Sequence, residues 1–205
     1  PNFGFDLIIQ SDFPKSSGLG GSSVVLSAII GCFNEFKTDK WTLYEMAEIA
    51  FEAERLHLGI SGGWQDQYAT VFGGFNFMEF KFDENLVFPM RLTQEIIYEL
   101  EESLILCYTK TTHDSNSIHK NQKENTLNKE INNNIKSNVE LTYKMRNFLL
   151  KGHLTELGKS IDKSWEYKKS FSSSITNNYL DEIYNGAKKN GALGGKLLGA
   201  GGGGY

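Results

Sequence analysis

Cysteine is scarce in this 205-residue chain, with only Cys32 and Cys107, so a disulfide-dense scaffold is excluded. Both cysteines sit in apolar runs and read as buried free thiols suited to a reducing compartment; a single bridge between them is the alternative. Long hydrophobic runs are lacking too. The longest, Val24–Phe33, is broken by Ser27 and Gly31 and is too short to span a bilayer. No signal-peptide pattern is visible, so no membrane partner is expected. A block of positive charge is also missing, and the net charge is −4, which argues against nucleic acid as a partner. An acidic chain can still hold a nucleotide through local donors and a metal. What remains is a globular chain, 40% hydrophobic, long enough for one large domain or two small ones.

The organising stretch is Pro14-Lys15-Ser16-Ser17-Gly18-Leu19-Gly20-Gly21-Ser22-Ser23. The apolar run Phe5–Ile9 before it reads as a strand, within a strand from Phe3 to Ser11. The run Val24–Phe33 after it reads as a buried helix reaching about Phe36. Gly18, Gly20 and Gly21 let the backbone approach a ligand with no Cβ in the way. A helix that starts near Gly21 offers unpaired N–H groups and a positive dipole end. Strand, glycine loop and helix N-terminus together make an anion site, most often for phosphate. The spacing is neither that of a Walker A loop nor GxGxxG. A turn that only lets a helix pack closely on a strand is the bland alternative.

Downstream, Thr42-Leu43-Tyr44-Glu45 has the form of a capping box. It opens a helix to about Leu58, with Gly59 after its end. Its apolar residues recur at three and four, and Glu54 falls against that stripe rather than opposite it. A carboxylate there needs a partner or a metal; Arg55 is the local candidate, although adjacent residues point about 100° apart. Gly59-Ile60-Ser61-Gly62-Gly63-Trp64-Gln65-Asp66-Gln67-Tyr68 reads as a second loop, in which Gly62 and Gly63 again let the backbone approach a ligand. Asp66 lies between two amides able to orient a carboxylate or a sugar hydroxyl, or else it caps a short helix Gln67–Phe72. Gly74–Phe82 and Leu86–Leu92 read as strands joined at Asp83-Glu84-Asn85. Ser103–Thr109 reads as a buried central strand. Ser117 to about Lys136 reads as a weak, Asn-rich helix. Val139–Leu150, Leu154–Tyr167 and Tyr179–Lys188 read as firmer helices. His57, His113 and His119 lack metal-ligand spacing and read as ordinary polar histidines.

Glycine supplies 8 of the 14 residues from Gly191 to Gly204. This is read as a further glycine loop set against the first, with a flexible linker as the alternative. The first residue is Pro1 and the last, Tyr205, follows the glycines where a strand would begin. The chain is therefore expected to be an internal piece of a longer protein.

The order of these motifs, with Glu54 twelve residues before Asp66, resembles the GHMP small-molecule kinases. Their phosphate loop has the pattern Pro-x-x-x-Gly-Leu-Gly-Ser-Ser. Gly63-Trp64-Gln65-Asp66-Gln67-Tyr68, Phe72-Gly73-Gly74-Phe75-Asn76-Phe77 and Gly194-Gly195-Lys196-Leu197-Leu198-Gly199-Ala200 are most similar to the subgroup of D-glycero-D-manno-heptose 7-phosphate kinases. The resemblance implies an α+β, two-lobed fold. Residues 1–92 would be a ribosomal S5-like N-terminal lobe, partial here, with its phosphate loop at 14–23. Residues 93–205 would be a ferredoxin-like C-terminal lobe, truncated at its end. The family's first motif, with a catalytic basic residue and nucleotide-base contacts, would lie before Pro1.

The resemblance also implies roles. ATP would be held by Lys15, Ser16, Ser17, Gly18, Leu19, Gly20, Gly21, Ser22 and Ser23. Mg²⁺ would be held by Ser22 and Glu54. Asp66 would orient or deprotonate the acceptor hydroxyl. Gly62, Gly63, Gln65, Asp66, His113, Gly201 and Gly202 would bind the substrate. The loop Thr109–Ser117 departs from similar heptose kinases, which often carry Arg there; His113, Lys110, Lys120 and Lys123 are the candidate cations for the substrate's own phosphate, with ordinary solvated residues as the alternative. The implied enzyme is a cytoplasmic, ATP-dependent kinase acting on the anomeric hydroxyl of a heptose 7-phosphate for surface polysaccharide synthesis, and a homodimer is compatible with it. A fucokinase- or galactokinase-like sugar 1-kinase and a non-catalytic binding protein of the same fold are the rivals.

Overall fold

The computed structural model describes residues 4–12, 17–111, 118, 121–122, 125–126 and 128–205. The chain forms two compact units, Pro1–Pro89 and Met90–Tyr205.

In the first unit α1 spans Gly21–Glu35 and α2 spans Leu43–Glu52. Both halves of the Thr42/Glu45 capping box are made, so four side-chain and backbone atoms fix the start of α2. The helix continues as a π-helical turn, Ala53–His57, closed by the Leu58 N–H on the Ala53 carbonyl. α3 spans Gln65–Phe72. β1 (Asn76–Phe80) and β2 (Asn85–Pro89) pair antiparallel, with Asn76 opposite Pro89 and Phe80 opposite Asn85. The three helices pack on one another. Ala47, Tyr68 and Val87 form the buried centre, with Tyr44, Trp64, Phe72 and Met78 around it. The Tyr44 hydroxyl accepts from the Val87 N–H and ties β2 to α2. Buried Asn34 fixes the α1–α2 turn by exchanging hydrogen bonds with the Trp41 backbone. Because Asn is usually a turn residue, nothing in its sequence position sets it apart.

The second unit contains α4 (Gln94–Ser103), α5 (Lys129–Leu150), α6 (Leu154–Lys169) and α7 (Asn178–Lys189). α5 packs along α6. Its core gathers Ile118, Trp165, Ile175, Leu180, Leu197 and Ala200. The glycine-rich end is laced into this unit rather than free. The Thr109 N–H donates to the Gly204 carbonyl, the Gly204 N–H to the Thr111 carbonyl, and the Gly202 N–H to the Ile175 carbonyl. That removes the linker reading.

Two expected strands are not strands. Residues 4–11 run beside α1, with Phe5 edge-on to Phe33 at 5.1 Å, and residues 104–109 are likewise irregular. Among the described residues no strand pairs with either, and Ile8 and Ile105 are 90% and 91% exposed. An apolar, β-branched run favours a strand, but a strand exists only where a neighbour takes its backbone groups. Cys32, on α1 beside residues 7–12, and Cys107, within residues 104–109 of the other unit, are both free and exposed rather than buried. The second hairpin strand ends at Pro89, short of Leu92, and α5 begins well before Val139, within the Asn-rich segment.

Candidate active site

The loop enters α1 through Gly18 and Gly20, at φ 78° and 69°. Gly20 is the N-cap residue in left-handed conformation, with no side-chain cap on the helix. That conformation disfavours any residue with a Cβ. A Cβ on Gly20 would also touch Asp66, 3.5 Å from its Cβ and Cγ. The uncapped N–H groups of α1 and the carboxylate of Asp66 therefore face the same turn of backbone. Asp66 is the second residue of α3, and Trp64 stands at the N-cap position with no side-chain bond. The capping explanation for Asp66 thus does not hold.

Glu54 is brought to the same place by the π-helical turn. Its side chain is 1% exposed. The Ser23 hydroxyl donates to Oε2 at 2.5 Å, and the Gln67 amide donates to the same oxygen. Burial pushes the carboxyl up, yet the nearby Ser22 hydroxyl, the Ser23 and Gln67 donors and the charge of Arg55 hold it below the ordinary carboxylate range. Glu54 is therefore an ionised group at neutral pH. Arg55 does not pair with it directly. Its guanidinium donates to the carbonyls of Ile60 and Gly63, and a Cβ on Gly62 would lie 2.7 Å from its Cζ. Arg55 thereby fixes the Gly62-Gly63 loop that leads into Asp66. Phe51 and Trp64, stacked at 3.4 Å, hold the same loop from its other end.

Of the residues singled out from sequence, Gly20, Ser22, Ser23, Glu54 and Asp66 come together in the first unit. Gly62 and Gly63 form the loop beneath Asp66, and Gln65 is exposed at the start of α3. Gly201 and Gly202 belong to the second unit. Lys15, Ser16, His113, Lys120 and Lys123 lie outside the described residues. The sequence did not single out Ser23 as the buried hydroxyl on Glu54, nor Gln67 as its amide partner. Adjacent helical residues differ by about 100°, so one serine of the pair had to turn inward, but which one depends on packing.

The donor set suits Mg²⁺, which takes hard oxygens and keeps waters or phosphate oxygens for the rest. Glu54 Oε1 is buried and takes no hydrogen bond, beside two hydroxyls. No cluster of three or more His, Cys, Asp or Glu exists among the described residues. An ion at Glu54 would therefore depend on phosphate oxygens from a ligand.

In the second unit Gly201 has φ 105°, and a Cβ there would fall 2.9 Å from Ile175 Cγ2 and 3.1 Å from its carbonyl. Gly201→Ala is expected to destabilise this unit by about 2–3 kcal/mol, from strain plus overpacking, as read by urea unfolding.

Lys168 on α6 donates to the carbonyls of Leu197, at 3.0 Å, and Gly199, at 2.6 Å, and so holds the glycine loop from below. Burial, and then the nearby charge of Lys196, push its amine down to about 7 from 10.5. Between those values the unfolded chain binds more protons than the folded one, so stability rises with pH from about 7 upward. Thermal unfolding followed from pH 6.5 to 9 is expected to show that rise, and Lys168→Met to flatten it.

The family model described as GHMP kinases N terminal domain matches residues 2–74, and the one described as GHMP kinases C terminal matches residues 145–205. The chain belongs to the GHMP kinases, and its fold is the α+β fold of that family. It is 38% identical, over 98% of its length and 60% of the relative's, to a D-glycero-alpha-D-manno-heptose 7-phosphate kinase of Campylobacter jejuni. It is 30% identical, over 98% of its length and 22% of the relative's, to an L-fucokinase/L-fucose-1-P guanylyltransferase of Bacteroides fragilis. Among solved structures, a D-glycero-D-manno-heptose 1-phosphate kinase from Bacteroides thetaiotaomicron matches with a TM-score of 0.66 and 34% identity, covering 93% of this chain and 53% of that one. Lactococcus lactis galactokinase matches in fold with a TM-score of 0.64 at 18% identity, covering 94% of this chain and 58% of that one. The chain thus spans between half and two thirds of the length of these heptose kinase relatives.

Proposed function

We propose that the protein of which this chain is part is an ATP- and Mg²⁺-dependent sugar kinase that phosphorylates the anomeric hydroxyl of D-glycero-D-manno-heptose 7-phosphate. The carrying observation is the meeting of the uncapped α1 N-terminus, the Ser22/Ser23–Glu54 pair and Asp66 around Gly20. Phosphoryl transfer needs positioning and charge neutralisation more than covalent help. Backbone N–H groups from Gly18 to Ser23 bind the nucleotide phosphates. Glu54, with Ser22, is the protein's contribution to a divalent cation, which when bound would offset the phosphate charge. Asp66 accepts a hydrogen bond from the attacking hydroxyl and can take its proton as the new bond forms. Residues 1–92 and 93–205 serve as the two lobes, and Gly201 and Gly202 support the substrate. The exposed free thiols of Cys32 and Cys107 suit a reducing cytoplasm, and the product would feed nucleotide-activated heptose for surface polysaccharide.

The heptose kinase relatives carry the phosphate at different carbons in their names, position 7 in one and position 1 in the other. Phosphorus NMR of the complete protein's products from ATP and heptose 7-phosphate separates the cases. The expected result is a new anomeric phosphate signal beside the retained 7-phosphate. A fucokinase-like 1-kinase, favoured by the similarity to the Bacteroides fragilis protein, would instead leave heptose 7-phosphate unchanged and phosphorylate an unphosphorylated sugar supplied in its place.

A further inference from the structure

We propose that Gln67 is a positioning residue that aims the Glu54 carboxylate, so that one oxygen is spent inside the protein and the other is kept for a divalent cation on the nucleotide. This rests on the functional reading above and concerns a side chain to which that reading gives no role.

Gln67 is fully buried, at 0% exposure, on the inner side of α3. Its Nε2 donates to Glu54 Oε2, the same oxygen that accepts from Ser23. Glu54 Oε1 is left buried and without a hydrogen bond. A buried carboxylate oxygen without a donor costs free energy unless something cationic reaches it. The asymmetry is built in, since both buried donors converge on one oxygen while the other stays open.

The same turn of α3 is tied to α1. The Thr70 hydroxyl donates to the Gln67 carbonyl at 3.0 Å and lies 2.8 Å from the Ser27 hydroxyl on α1. Ser27 is one helical turn beyond Ser23. α3 is therefore joined to α1 at two levels, by Gln67 and Ser23 through Glu54 and, one turn further on, by Thr70 at Ser27. Two donors on one oxygen limit rotation of the Glu54 carboxylate more than either bond would alone. Asp66 is the residue before Gln67, so the same turn of α3 that seats the amide also sets the carboxylate near Gly20.

The test uses the complete protein and Mn²⁺ with ADP, titrated by electron paramagnetic resonance, which requires no sugar and no turnover. Gln67→Met keeps the length and removes the donor. It is expected to weaken Mn²⁺ binding to the protein–ADP complex about 10- to 100-fold and to raise the KM for the metal–nucleotide complex while leaving the KM for the sugar phosphate within about twofold. Ser23→Ala removes the other donor while keeping the backbone N–H, and serves if the first variant does not fold by circular dichroism. It is expected to weaken Mn²⁺ binding in the same direction. Wild-type Mn²⁺ affinity in a folded Gln67→Met, or in Ser23→Ala, would overturn the proposal. Wild-type protein that binds Mn²⁺ and ADP but does not phosphorylate heptose 7-phosphate would sink the substrate reading and leave the role of Gln67 standing.

Discussion

Glu54→Gln in the complete protein is expected to lower kcat by about a thousandfold while lowering the melting temperature only slightly. The magnitude is that of removing one preorganised electrostatic group from a phosphoryl-transfer site. The direction on stability follows from the lowered pKa. Glu54 is 1% exposed, and its donors and the charge of Arg55 outweigh burial and favour the charged form, so a neutral isostere that keeps the size and an acceptor oxygen gives up a little stability. A large loss of activity with little loss of stability marks a group kept for chemistry. A drop in melting temperature proportionate to the loss of rate would instead mark Glu54 as a structural carboxylate. Steady-state kinetics and a thermal melt on one preparation decide between them.

Asp66→Asn is expected to reduce kcat by about 10²- to 10⁴-fold, the range over which positioned proton transfer contributes, with the KM for nucleotide nearly unchanged. Asparagine keeps the size and can still accept a hydrogen bond, so the orientation of the hydroxyl survives while the proton acceptor does not. A fall of less than about tenfold would reduce Asp66 to orientation alone. Combined with Glu54→Gln the losses should be far from additive, because groups that act on one transition state fail together.

How much of this was legible depended on how local each cause was. The start of α1 at Gly21 and the capping box at Thr42 and Glu45 were readable because each is decided within a few residues. Glu54 was readable because it broke the apolar period of its helix. Residues 5–9 and 104–109 were misread because a strand is a property of two segments, and composition reports on only one. The roles of Gln67, Asn34 and Lys168 were invisible for a related reason. Each is an ordinary polar residue made important by a partner 7 to 31 positions away. Asp66 stood between capping and chemistry in the sequence, and the start of α3 at Gln65 excludes the first.

The widened turn at Ala53–His57, with the Leu58 N–H reaching back five residues to the Ala53 carbonyl, works as a phase shifter in the helix. It holds one residue more than a regular turn would, so everything upstream is rotated by roughly 100° relative to everything downstream. Deleting Ala53 would let the helix relax to an unbroken spiral, and Glu54 and Arg55 could no longer address the serine pair and the second glycine loop at the same time. Point substitutions that spare both side chains would then be tolerated along this segment, whereas a change in its length by a single residue would not.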